Sequence, residues 1–406
     1  MSALPPIIDP ERLGAKCSRC YLYATRQGGP VGPEMSRRAC VALVGEAPGK
    51  DEVEANRPFI GQSGRELTVS LAAVGIARDD VSIVNAIACR PPGNDLDTLL
   101  HRCQQTNKRL VAAGKEPWLT PIEACRPMMQ HFIQPYANVI TVGKVAMRSV
   151  TQMQASIMDM RGAPVTGVLA PPGADGVSSW LARETLDPLE GDAAVAGGGR
   201  FIRLLPTVHP AFVTRQRRWT KVLRADLARA FRWFNGKLGW RDPRVNLRPT
   251  VSEARDFLYS GAPFYAYDVE TDAKESLLAR LRCIGFGTPE AAIVVPLLSV
   301  DGYGRFYTPD EEGAMLDLLR AWFTDRRILK AGWNAGYYDR IVVESRLGVT
   351  PYPVVDGMLI HRNVDSELPH NLAFVGALFT DVARAWKASH AATQAQSDEE
   401  LHVYNV

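Results

Sequence analysis

The chain has 406 residues, 46% of them hydrophobic and 22% charged, with a net charge of +3. That length predicts two or three globular domains, and so small a charge excludes nucleic-acid binding driven by overall charge, leaving local patches. No run of about 18 apolar residues occurs, which excludes a membrane-spanning helix of ordinary length.

The amino terminus, MSALPPIIDPERLGAKC, lacks a basic stretch followed by an apolar one, so no signal peptide is predicted and a cytoplasmic setting is expected. In that setting the seven cysteines read as metal ligands or bystanders rather than as disulfides. Cys17-Ser-Arg-Cys20 is a C-x-x-C, which alone fits zinc, an iron–sulfur cluster, redox chemistry or chance.

Val41-Ala-Leu-Val44 reads as a buried parallel strand broken by the turn Gly45-Glu46-Ala47-Pro48-Gly49. Loops beyond the carboxyl ends of such strands are where α/β proteins bind ligands. Glu46 supplies a carboxylate there, and the glycines admit close approach to the backbone. The next turn, Arg57-Pro-Phe-Ile-Gly61, presents Phe59. A carboxylate and an aromatic platform suit a flat heterocycle undergoing bond cleavage, although an ordinary βα loop reads the same way on this stretch alone.

A second strand-like run, Val81 to Ala88, carries Asn85 and leads to Cys89. Residues 94–118 form an insertion with the amphipathic stretch LLHRCQQTNKRLVAAG. Thr120-Pro121 reads as an N-cap with proline at the first helical position, and that helix holds Cys125. Residues 163–200 are rich in Ala, Gly and Pro and are expected to form a flexible loop. The strand-like run Phe201 to Val208 delivers His209-Pro-Ala-Phe212-Val213-Thr-Arg215. Arg217, Arg218, Lys221 and Arg224 follow, read as a DNA-facing surface or as a solvated helix face.

Taken together, C-x-x-C, GEAPG-x-x-E, RPF-I-G-x-x-G, N-x-x-x-CRPP, T-P-x-E-A-C and H-P-A-F, in this order between Leu13 and Asn235, resemble the family 4 uracil-DNA glycosylases. The resemblance implies an α/β/α sandwich around a parallel sheet and a [4Fe–4S] cluster on Cys17, Cys20, Cys89 and Cys125, with zinc on the same four thiolates as the alternative. Asn85 would read the uracil edge, since one amide both donates and accepts. Phe59 would stack on the extruded base, with Gly45 and Ala47 beside it. His209 would stabilise charge developing on O2 of the leaving uracil. Glu46 would handle the attacking water; some other branches of the superfamily carry Asp or Asn at the position of Ala47. Phe212, Val213 and Arg215 are the candidates for the wedge that enters the DNA stack.

A polar linker is expected over 240–250, followed by a second domain over 251–406. Asp268-Val-Glu270 places two carboxylates on one face of a strand, a geometry suited to divalent metal, though D-x-E is common by chance. Cys283-Ile-Gly-Phe-Gly and Ala291 to Pro296 read as paired strands, and Asn334 and Asp339 follow. This set resembles the DEDD 3′–5′ exonucleases of family A DNA polymerases, with a ribonuclease H-like mixed sheet. The resemblance implies Mg²⁺ or Mn²⁺ on Asp268, Glu270 and Asp339. Asn334 matches the second motif, and Asp356 a segment that does not normally bind metal. Tyr404-Asn405-Val406 resembles the start of the third motif, from which a fragment of a longer protein is expected; the alternative is a natural terminus on an inactive domain.

The combined expectation is a uracil-DNA glycosylase of residues 1–239 joined to a proofreading-type exonuclease of a phage-type polymerase. Its partners would be DNA and replication proteins, with no membrane. Two rivals stand beside it: a non-catalytic module that binds uracil or template DNA, and glycosylase chemistry on another base.

Overall fold

The structure, a computed structural model, describes residues 8–169, 180–182, 198–239, 241 and 243–381. Its strands begin where β-branched runs meet turns. Val41–Gly45 (β1) and Val81–Asn85 (β2) are buried along their whole length, as strands covered on both faces must be. They pair in parallel, from Val41 opposite Val81 to Gly45 opposite Asn85. Asn138–Val142 (β3) lies on the other side of β1. Val165–Leu169 (β4), Trp180–Ala182 (β5) and Arg200–Thr207 (β6) complete a sheet of order β2-β1-β3-β6-β4-β5. Its first four strands are parallel, and β4 and β5 are added antiparallel.

Two groups of helices cover this sheet. Pro121–Ile133 and Lys144–Thr151 pack on β1, β2 and β3, while Thr220–Phe234 packs on β6 and against Gln62–Ala73. The predicted N-cap at Thr120 forms: its Oγ1 accepts from the Glu123 N–H, and the Glu123 carboxylate accepts from the Thr120 N–H. The inserted helix forms over Leu96–Ala112 and buries Leu96, Leu99 and Cys103. The stretch 163–200 is not simply a loop. Val165 to Leu169 has enough β-branched and apolar character to pair with β6, although residues 170–179 and 183–197 lie outside the described residues.

The described chain divides into two compact units. The second runs up to Leu372 and contains Arg244–Asn246 (β7), Tyr265–Thr271 (β8), Leu281–Gly287 (β9), Ala291–Pro296 (β10), Lys330–Gly332 (β11) and Val354–Asp356 (β12). These form one mixed sheet of order β12-β11-β8-β9-β10-β7, antiparallel across β8, β9 and β10. On β8 the pleat sends Tyr265, Tyr267 and Val269 into a core with Phe286, Trp322 and Phe323, and leaves Asp268 exposed on the other face.

Two observations bear on the expected domain boundaries. The expected linker 240–250 contains β7, which pairs with β10, and Thr250, which caps the helix Val251–Leu258. From Ala373 the chain returns to the first unit, because Phe374 and Val375 are buried there. Among the described residues no helix is long and apolar enough to cross a membrane.

Candidate functional site

The in-register ends of β1 and β2 bring Gly45 and Asn85 side by side. Asn85 is 5% exposed, and neither its Oδ1 nor its Nδ2 has a hydrogen-bond partner among the described residues. Gly45 lies beside it: a Cβ there would run into the Phe59 ring and reach within 2.5 Å of Asn85 Oδ1. Phe59 is buried, and its ring centroid is 5.9 Å from that of His209. Ala47 is half-buried, with its side chain packed against the apolar core.

Phe59 adopts a φ of +54°, in the left-handed region, and must be held there. Its N–H donates to Glu52 at 2.6 Å, and the same carboxylate accepts from the Gly49 N–H. Burial pushes the Glu52 carboxyl up, while those backbone donors oppose the shift. On the other side Arg78 donates to the Phe59 carbonyl at 3.0 Å and to the Pro58 carbonyl at 2.9 Å. Glu34 holds Arg78 and Arg57 in turn. Its burial would raise the carboxyl, but those two guanidiniums win and bring it down to about 2. Sequence reasoning gave these residues no role. The signal for Glu52 was visible as the last letter of GEAPG-x-x-E, whereas nothing local marked Glu34 or Arg78.

His209 caps the short helix Pro210–Arg215, and its Nδ1 accepts from the Ala211 N–H at 3.1 Å. In the neutral ring the proton therefore sits on Nε2. Burial, with the charge of Arg215 added, lowers its pKa to about 4. Burial likewise pushes the Glu46 carboxyl up; Asp97 of the inserted helix adds to this and Arg215 opposes it. Arg215 thus acts electrostatically on both candidate catalytic groups. Of the three wedge candidates, Phe212 is partly exposed and Arg215 exposed, whereas Val213 is fully buried. One turn after His209 on a helix packed against Gln62–Ala73, it points inward.

Cys17, Cys20, Cys89 and Cys125 are all buried in one apolar core and form no disulfide. The Lys16 N–H donates to the Ala124 carbonyl at 2.9 Å, which brings the C-x-x-C turn to the Cys125 helix. Burial pushes the Cys17 thiol up to about 11 and the Cys89 thiol up to about 12. Cys20 and Cys125 are raised by burial too, and neighbouring cysteines add to the shift at Cys17, Cys89 and Cys125. Among the described residues no three or more His, Cys, Asp or Glu side chains are grouped closely enough to hold a metal ion.

In the second unit Asp339 is 4% exposed and accepts from the Val269 N–H of β8 at 3.2 Å. Burial, reinforced by the charge of Asp268, pushes it up to about 7. Glu270 is half-buried on the same strand. Asn334 has a φ of +66°, and its N–H donates to Asp356 at 3.1 Å. Asp356 also accepts from the N–H groups of Gly336, Met358 and Leu359, which makes it a helix cap and turn anchor. Tyr404 lies outside the described residues.

The pattern of the uracil DNA glycosylase superfamily matches residues 33–233. A type-4 uracil-DNA glycosylase of Pyrobaculum aerophilum is 30% identical over 160 residues, covering 38% of this chain and 71% of that protein. A type-4 uracil-DNA glycosylase of Thermotoga maritima is 29% identical over 203 residues, covering 50% of this chain and 80% of that protein. Among solved structures, Escherichia coli RNase D, an exoribonuclease involved in structured RNA processing, is a loose neighbour. It has 14% identity and a TM-score of 0.30 over 41% of each chain. With Asn85, Phe59 and His209 inside the matched region, the chain belongs to the uracil-DNA glycosylase superfamily, on its type-4 branch.

Proposed function

We propose that the first unit hydrolyses the N-glycosidic bond of uracil in DNA. The observation that carries this reading is the Asn85 amide: buried, without a hydrogen-bond partner among the described residues, and beside Gly45, which also abuts the Phe59 ring. A buried amide left unsatisfied costs free energy unless a ligand completes it. Uracil presents an N3–H donor next to an O4 acceptor, which one amide satisfies together. Phe59 would stack on the extruded base.

As the bond to C1′ breaks, negative charge moves onto the uracil, and a donor aimed at O2 lowers the barrier. A neutral His209 with its proton on Nε2 suits that role, because its Nδ1 is occupied by the Ala211 N–H. Glu46 would orient the water, and Phe212 and Arg215 would hold the stack open. Cys17, Cys20, Cys89 and Cys125 would hold the [4Fe–4S] cluster: burial raises all four thiols, neighbouring cysteines raise three of them further, and such thiols need a positive partner to become thiolates. When bound, the cluster would act structurally, tying the amino-terminal turn to the Cys125 helix.

The test is uracil release from a single-uracil oligonucleotide, in EDTA, with protein purified without air. An alkali-labile abasic product is expected. No release, despite bound cluster and tight DNA binding, would favour the non-catalytic binding module. Release of a modified uracil or hypoxanthine in preference would favour the other-base reading.

For the second unit the carboxylates of Asp268, Glu270 and Asp339 favour a 3′–5′ exonuclease whose Mg²⁺ or Mn²⁺ would activate water. Asn334 would position that site, and the proofreading and polymerase context extends the same reading. Magnesium-dependent trimming of a 3′ end, abolished by Asp268→Ala, is the expected result.

A further inference from the structure

We propose that Phe374, far along the chain, is a positioning residue for the glycosylase's DNA-facing segment, acting through Trp219. This inference rests on the glycosylase reading. Phe374 lies on the helix Leu372–Phe379 and is 3% exposed. Its ring meets Trp219 edge-on, with centroids 5.5 Å apart at 83°. Trp219 in turn meets Phe212 edge-on at 5.2 Å and 63°. The Trp219 Nε1–H has no acceptor among the described residues, so packing rather than a hydrogen bond orients this indole. Its aromatic neighbours include Phe212, one of the wedge candidates, and Phe374, on the segment that returns to the first unit.

Phe374 is itself anchored. The Arg161 guanidinium lies 4.7 Å from its ring centroid and donates to its carbonyl at 3.4 Å. Arg161 forks onto Asp226 at 3.0 and 2.6 Å with both side chains fully buried, and Thr207 Oγ1 donates to Asp226 at 2.7 Å. Thr207 ends β6, two residues before His209. At the far end of the returning helix Arg229 donates to the carbonyls of Ala377 and Thr380, and Arg232 pairs with Asp381 at 2.8 Å. The strand that delivers His209 and the wedge therefore share one brace. Extruding a base from a duplex means pushing against its stack, and a wedge without backing yields.

The test uses the full chain with Phe374→Ala and Phe374→Leu. Uracil release is compared on duplex and single-stranded oligonucleotides of one sequence, and 2-aminopurine beside the uracil reports stack opening without bond cleavage. Phe374→Ala is expected to lower duplex release about tenfold and single-strand release less than about twofold, because only the duplex must be opened. The 2-aminopurine signal falls with it, and Phe374→Leu, which keeps volume without the aromatic edge, lies between. If Phe374→Ala does not fold, Phe374→Leu decides on the same ratio. Equal losses on both substrates, or an unchanged duplex rate, overturn the proposal. If the unmodified chain releases no uracil, the glycosylase reading falls and 2-aminopurine alone decides. Stack opening lost in Phe374→Ala then supports the brace; opening that is unchanged, or absent from the start, overturns it.

Discussion

Gly45 and Asn85 end adjacent parallel strands in register, and a Cβ added to Gly45 would stand 2.5 Å from Asn85 Oδ1. The same Cβ would run into the Phe59 ring, so both side chains must move to admit it. Gly45→Ala is therefore expected to cost about 1–3 kcal/mol of stability, the usual range for overpacking. Uracil release is expected to fall about 100-fold, since displacement of roughly an ångström at a reacting site has that effect. Urea unfolding and single-turnover release on the same preparation check both numbers; full activity would mean that the base sits elsewhere.

Asn85→Ala separates stability from function. The amide makes no hydrogen bond among the described residues, so its removal breaks none and relieves a buried polar group. Stability should change by less than about 1 kcal/mol, while loss of base recognition costs about 1–3 kcal/mol in the transition state, roughly 10- to 200-fold in rate. A variant that unfolds readily but retains its rate would make Asn85 a structural strand-end residue.

Much of this site was legible because it is local. Val41 to Gly45 and Val81 to Asn85 announce buried strands, and the Thr120-Pro121 cap and the alternation around Asp268 follow from neighbouring residues. What sequence could not supply were contacts between distant segments. Arg78 holding the Phe59 carbonyl, and Phe374 returning to Trp219, leave no periodic trace. That Val213 lies on the buried face was not legible either, because a short helix gives too little periodicity to tell its inner face from its outer one. Val165 to Leu169 was hidden by the Gly- and Pro-rich composition around it.

His209 carries a pH signature. Its folded pKa, lowered to about 4 by burial and by Arg215, lies below the ordinary value of 6.5. Between these values the unfolded chain binds a proton that the folded chain refuses, so stability falls as pH drops from 6.5 towards 4. The loss is at most about 3 kcal/mol, from 1.36 kcal/mol per unit. His209→Gln should flatten that slope. Uracil release should show no titration near 6.5, because His209 stays neutral there; an inflection at that pH that disappears in His209→Gln would mean that the charged ring is the active form.

Asp356 tests whether every acid near the second site is a ligand. It accepts from the N–H groups of Asn334, Gly336, Met358 and Leu359, so Asp356→Ala leaves four donors without their acceptor. The expected cost is about 2 kcal/mol or more, at the high end for a lost cap. Asp356→Asn should recover part of it, since the amide oxygen still accepts. Denaturant unfolding followed by Trp333 fluorescence reads the loss. Full stability together with loss of divalent-ion affinity would instead make Asp356 a ligand.

Removal of iron tests the cysteine set. Cys17, Cys20, Cys89 and Cys125 are buried, and the thiols of Cys17 and Cys89 are pushed up to about 11 and about 12. Thiolates held in such a core repel one another unless a cation sits among them, so bound metal and fold stability should be linked. Protein prepared without air should carry about four iron atoms with visible charge-transfer absorbance. Cys125→Ser should lose both and cost more than about 2 kcal/mol, because a hydroxyl is a poor iron ligand and is then buried without it. The damage should concentrate where the cluster would tie segments together. Hydrogen exchange should accelerate in residues 16–21, which are otherwise joined to their neighbours by the bonds from Lys16 to Ala124, from Tyr21 to Leu119 and from Leu119 to Arg19. The β6 amides that lead to His209 should stay protected. Zinc in place of iron would keep the stability without the colour, and a colourless, metal-free chain of undiminished stability would remove the structural role altogether.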